Sequence, residues 1–171
     1  MSNKRRQINA EELLVFFKLI GSGIWYLQHV EDALSTYITV KAEIKDRGGG
    51  TSAENAKFLL SKQRRNTLGT SIRFAKDRQV LDPDLLTMLE AFKIERDWLV
   101  HRSLHENGDD LYLNSERRRL LERLNKFSED AKRLQRLIAE ELEDFVVSKG
   151  VSREWIHQKT MSDVNRNKGV E

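Results

Sequence analysis

Apolar residues recur along this chain in steps of three and four, and nowhere in sustained steps of two. Leu13, Phe17, Ile20, Ile24, Leu27, Leu34 and Ile38 form one such stripe, over a segment from about Ala10 to Lys45. That spacing marks one face of an α-helix. Asn9, followed three residues on by Glu12, has the form of a helix start, an amide cap and then an acid. Glu31 fills the one gap in the stripe, and Gly48-Gly49-Gly50 ends the segment in a flexible turn. A second segment runs from Thr51 or Ser52 to about Arg78, with Ala56, Leu59, Leu60, Leu68, Ile72 and Phe74 as its apolar contacts. Asp82-Pro83 opens a third, with aspartate at the cap and proline at the first helical position. Leu85, Leu89 and Phe92 lead along one face to Arg96 and Leu99, and the run from Glu106 to Asp110 reads as a polar loop. The fourth segment spans Ser115 to about Lys149 and closes on Gly150. Its Leu120, Leu124, Phe127, Ala131, Leu134, Ile138, Leu142 and Phe145 lie at near-heptad spacing.

Four helical segments joined by short connections predict an all-α fold, an antiparallel bundle of four helices or of five with a short extra one. Residues 1–9 read as a basic tail and 10–150 as the bundle. Residues 151–171 read as a polar tail in which Trp155 and Ile156 mark a short docked piece before a frayed end.

Composition narrows the chemistry. The chain has 171 residues, enough for one domain with a core, and no cysteine. Disulfides, thiolate metal sites and a cysteine nucleophile are therefore excluded. Its 30 basic and 27 acidic residues leave a net charge of +3, which permits contact with nucleic acid without demanding it. The apolar residues from Leu13 to Leu27 are interrupted by Lys18, Gly21, Ser22 and Gly23, so neither a signal peptide nor a membrane span is expected. The expected compartment is the cytoplasm.

The third segment carries the residues that a bundle helix does not need. In Glu95-Arg96-Asp97-Trp98-Leu99-Val100-His101-Arg102, a guanidinium and an imidazole stand near the apolar stripe. A guanidinium grips a phosphodiester bidentately, and an imidazole moves protons near neutral pH. Asp97 and His101, four apart, share a helix face, so Asp97 is expected to orient the ring. Arg96 and His101, five apart, diverge by about 140° on an ideal helix. They meet at one phosphate if the arginine swings, if the helix distorts, or if two chains share a cleft; a shared cleft at a symmetric interface is the attractive option.

Arg96-Asp97-Trp98-Leu99-Val100-His101 resembles the R-x4–6-H motif of HEPN domains, which carry a polar residue directly after the arginine. The layout from Ala10 to Lys149 also resembles that family: a long first helix with an internal acid, the motif late in a middle helix, and a long last helix. The resemblance implies a HEPN-like fold and a metal-independent endoribonuclease, working as a homodimer and cutting RNA by attack of its 2′-hydroxyl. It implies that His101 is the general acid/base, that Arg96 binds the phosphate, and that Asp97 orients the pair. It also implies a toxin or phage-defence role, with an antitoxin protein as a possible partner. One branch of the family has a tyrosine two residues after the histidine, where its antitoxin modifies it. Ser103 stands there in this chain.

Each residue also has a plainer role. Arg96 can form an interhelical ion pair with Glu31, an arrangement compatible with Glu31 holding the arginine beside the site. His101 with His105 forms H-x-x-x-H, and Glu106 or Asp109 can supply a third metal ligand. The acid of a metalloprotease motif is missing at position 102, however, and no metal or other cofactor is expected. Lys62, Arg64, Arg65 and Arg73, with Arg102 beside the histidine, form the preferred RNA-contact surface. Arg117-Arg118-Arg119 is balanced by Glu116 and Glu122. Trp25 and Tyr26 are expected in the core or a dimer contact. The alternative functions are a non-catalytic helical dimer that binds RNA or a nucleotide, and an oligomerisation module driven by the repeat of the fourth segment.

Overall fold

The computed structural model describes residues 5–44 and 51–168, and among these the fold is all-helical. Lys45 and the turn expected at Gly48-Gly49-Gly50 lie outside the described residues. Helix α1 spans Ala10–Ile38 and starts as a full capping box: the Asn9 side chain accepts from the Glu12 N–H, and the Glu12 carboxylate accepts from the Asn9 N–H. It runs on into a π-helical turn, Thr39–Ile44.

The second expected segment is two helices. Helix α2 covers Ala53–Gln63 and α3 covers Leu68–Asp77. Thr67 makes the break, because its hydroxyl accepts from the Thr70 N–H and starts a new helix where the old one would have to continue. The apolar stripe also lapses between Leu60 and Leu68, so no buried face drives one continuous helix across the gap.

Helix α4, Pro83–Asp97, is capped by Asp82 as expected. A second π-helical turn, Trp98–Arg102, follows, then α5, Ser103–Asn107, and a 3₁₀ turn, Gly108–Tyr112. The stretch expected to be a polar loop is thus helical. Asn107 ties it down, accepting from the buried Trp98 indole N–H at 2.9 Å and donating to Asp110 at 2.6 Å. Helix α6, Asn114–Ser148, ends at Gly150, whose φ of +96° is the left-handed conformation of a helix-stopping glycine. Helix α7, Arg153–Asn167, replaces the expected short docked piece; it is capped by Ser152 and buries none of its residues.

The extra reversal at Thr67 changes the sense of the bundle. Phe92 stacks on Phe127 and Glu95 pairs with Arg123, so α4 and α6 run antiparallel. Gly69 and Lys93, then Lys76 and Glu90, set α3 antiparallel to α4. Glu12 meets Arg117, Tyr26 meets Lys132 and Tyr37 meets Glu141, so α1 and α6 run parallel. Four alternating helices would have made that pair antiparallel. The core includes Leu27, Val30, Leu34, Tyr37, Ile38, Leu89, Trp98, Leu124, Phe127 and Ile138. The near-heptad face of α6 is therefore consumed inside its own chain.

The described part of the basic tail is docked: the Arg6 N–H donates to the Tyr112 carbonyl at 2.9 Å, and Arg5 pairs with Asp109 at 3.0 Å. Along α1 and its π turn, Ala10–Ile44, one window has mean hydropathy 1.3, long and apolar enough to cross a membrane, with 17% of that window buried. A core helix and a signal sequence share that length and hydropathy.

Candidate active site: an arginine and a histidine joined by a π turn

The second π turn decides the geometry of the motif. Its closing bond runs from the Ser103 N–H to the Trp98 carbonyl, five residues back. An i→i+5 turn between two residues five apart narrows the angle at which an α-helix would separate them. Arg96 Nη1 accordingly lies 3.3 Å from His101 Nε2 within one chain. Of the three ways to unite the pair, helix distortion is the one adopted, and no second copy is needed for it.

The turn is held from the core side. Trp98 is fully buried, and the guanidinium of Arg123 lies 3.6 Å over its ring while pairing bidentately with Glu95. Leu99 presses against α1 at Gly23, where an added Cβ would lie 3.3 Å from Leu99 and from Phe127. With Trp98 and Leu99 both buried, the backbone takes up the extra residue on the outer side, where Val100, His101 and Arg102 are exposed.

A guanidinium has only donors, so its contact to Nε2 requires the lone pair there and the ring proton on Nδ1. Nη1 also donates to Asp97 Oδ1 at 3.2 Å, and Nη2 stands 4.0 Å from Glu31 Oε1. The buried Nε has no hydrogen-bond partner. An orphan donor costs about 1–3 kcal/mol. Arg96 is thus bracketed by carboxylates without being saturated by them, and its side chain keeps 20% of its surface exposed.

The Glu31 carboxyl is raised above its ordinary value, chiefly by burial, with opposing contributions from Arg96 and from the Leu68 N–H at the start of α3. The Asp97 carboxyl is lowered, first by its hydrogen bond from Lys93 and then by Arg96. Lys93 Nζ reaches Asp97 Oδ2 at 2.6 Å. Asp97 therefore orients the arginine, and no hydrogen bond joins it to His101. Lys93 was missed in the sequence, although its position four residues before Asp97 on one helix is a signal for such a pair. Gly69 makes room for it: a Cβ there would lie 2.7 Å from Lys93 Cε.

The expected RNA surface is only partly free. Lys62, Arg65 and Arg73 are exposed and unpaired among the described residues. Arg64 pairs with Asp32 at 2.6 Å and Arg102 with Glu106 at 3.1 Å. Arg118 and Arg119 are exposed and pair with Glu122 and Glu116. Arg117 departs from its neighbours: it is buried, bonded to the Leu111 carbonyl and to Glu12, and fastens α6 to the start of α1. Among the described residues, no three His, Asp or Glu side chains converge as a metal site requires. Glu106 and Asp109 are engaged with Arg102 and Arg5.

Tyr26 is half-buried beneath Lys132, whereas Trp25 is 61% exposed. Leu14 and Phe17 share that exposure on α1, as do Val100 and Leu104 on either side of His101. Compared with protein-family models, with curated proteins and with solved structures, the chain matches none.

Proposed function

We propose that the protein is a metal-independent endoribonuclease of HEPN type, with a HEPN-like helical bundle, and that it acts in the cytoplasm as a toxin or phage-defence effector. The observation that carries this is the 3.3 Å approach of Arg96 Nη1, at the end of α4, to His101 Nε2 on the exposed side of the π turn. Arg96 keeps 20% of its side-chain surface exposed, and its Nη2, 4.0 Å from Glu31, is left to hydrogen-bond a phosphate. Once a substrate phosphate draws the guanidinium off Nε2, that nitrogen takes the proton from the 2′-hydroxyl as its oxygen attacks the adjacent phosphorus, and the protonated ring then gives a proton to the departing 5′-oxygen. Arg96 binds the non-bridging phosphate oxygens and stabilises the charge that builds on them. Asp97 fixes the guanidinium, and Glu31 backs it from α1.

The partners of this reading are RNA, a second copy of the chain and an antitoxin protein, with no membrane. The homodimer is supported by Leu14, Phe17 and Trp25, spaced along one exposed face of α1. Ser103 stands where an antitoxin-modified tyrosine would be, so neutralisation takes another route. The test is cleavage of RNA in EDTA by wild type, Arg96→Ala and His101→Ala. Wild type should cut and leave 2′,3′-cyclic phosphate ends, and both variants should not. Equal cleavage by wild type and His101→Ala overturns the assignment. Salt-sensitive RNA binding with no cleaved product would instead favour the non-catalytic alternative.

A further inference from the structure

We propose that the polar depression beside the Arg96–His101 pair is a base-binding subsite that selects guanine next to the scissile phosphate. It rests on the ribonuclease reading above. The depression encloses about 150 Å³ between Gln28, Glu31, Asp32 and Ser35 of α1 and Arg64 and Asn66 of the α2–α3 corner. Glu31 belongs to both places, lining the depression and standing 4.0 Å from Arg96. An RNA strand with one phosphate on Arg96 therefore has a neighbouring base within reach of it.

The lining favours one base. Asp32 and Arg64 are joined by a single contact, Arg64 Nε to Asp32 Oδ1 at 2.6 Å. Among the described residues, both terminal nitrogens of Arg64 and Asp32 Oδ2 have no other hydrogen bond. Side by side, they present donors and then an acceptor. Guanine's edge answers that order: O6 and N7 accept from arginine, while N1–H and the 2-amino group donate to a carboxylate. Uracil turns its O2 acceptor toward the carboxylate. Adenine and cytosine turn an amino donor toward the guanidinium. Single-stranded RNA offers these edges for direct contact because its bases can be splayed out of the stack.

Arg64 and Asp32 are each 51% exposed. Such a surface pair contributes little to folding, so exchanging part of it for a base is not opposed by stability. The same pairing explains why Arg64 is poorly placed as a backbone contact like Lys62: its charge is already balanced by a carboxylate, and what remains is directional hydrogen bonding.

The test uses single-stranded oligocytidines with one guanine, inosine, adenine or uracil at a central position. Inosine lacks only the 2-amino donor. Wild type should cut beside guanine about tenfold faster than beside inosine, the discrimination of one good base contact. Asp32→Asn should cut beside the two at the same rate, with Tm unchanged because Asp32 lies on the surface. Equal rates for wild type at all four bases overturn the subsite and leave the ribonuclease reading standing. A guanine preference that survives Asp32→Asn does the same. No cleavage of any oligonucleotide overturns the ribonuclease reading and this subsite with it.

Discussion

The described residues contain two π turns, and they end differently. In the first, Thr39–Ile44, Lys41 donates to the Tyr37 hydroxyl at 2.6 Å, and that hydroxyl lies 2.8 Å from both the Val80 carbonyl and Glu141 Oε2. The ammonium also sits 4.5 Å over the Tyr37 ring. Burial pushes the Tyr37 phenol far above its ordinary value, with Glu141 adding to the rise, and pushes the Lys41 ammonium below its own. The contacts are short and internal, and the phenol is fully buried. In the second turn, Trp98–Arg102, the corresponding contacts of Arg96 are 3.2, 3.3 and 4.0 Å, one donor is orphaned, and the histidine faces solvent. The same backbone distortion serves a closed network at one place and an open one at the other. The first network is closed by its own partners, whereas the second leaves a buried donor unsatisfied.

Substitution should separate the two turns. The largest effect is on chemistry: His101→Ala should lower RNA cleavage by about 10²–10⁴-fold, the usual contribution of a general acid/base. Because the ring is exposed, its melting temperature should match that of the wild type. A large fall in Tm would place His101 with the closed network instead. The complementary experiment is Tyr37→Phe, which leaves a buried carbonyl and a carboxylate without their shared hydroxyl. It should cost about 1–3 kcal/mol, seen as a Tm lower by several degrees, with cleavage per folded molecule unchanged.

A smaller effect should appear in the pH dependence of stability. Burial raises the folded-state value of the Glu31 carboxyl above 4.5. Folded protein therefore holds that proton more tightly than unfolded protein. The resulting stability is fully present below pH 4.5 and is lost as pH rises through the raised value. Glu31→Gln should flatten the decline in Tm over that window, and a slope identical to wild type would show that Glu31 does not carry it. The smallest effect belongs to Arg118→Ala combined with Arg119→Ala. These exposed, locally paired side chains should change stability by less than about 0.5 kcal/mol and leave RNA cleavage unaltered.

The comparison also locates what the sequence could disclose. The helix starts at Asn9 and Asp82 and the glycine stop at Gly150 were legible because their causes lie within a few residues. Thr67 is a cap of the same kind, overlooked where the apolar stripe lapses between Leu60 and Leu68, so that one segment was expected where there are two helices. Arg96, His101 and Glu31 stood out as polar residues in or beside apolar stripes. The Arg96–Glu31 pairing was expected, and helix distortion was one of three ways left open for Arg96 to meet His101; the choice was not legible, since a π turn depends on Trp98 and Leu99 being drawn into a core built by distant helices. For the same reason Asp97 was assigned to the histidine and serves the arginine. Arg117 was indistinguishable from Arg118 and Arg119 in sequence, and its buried contacts to Glu12 and to the Leu111 carbonyl set it apart only in the fold.

The central claim is that Arg96 and His101 form one unit within one chain. A double-mutant cycle on the rate of RNA cleavage tests it directly. Residues that act together are not additive, so Arg96→Ala and His101→Ala should each abolish most activity, and the double variant should be no slower than the worse single one. Losses that multiply, or a His101→Ala protein that cuts RNA at the wild-type rate, would contradict it.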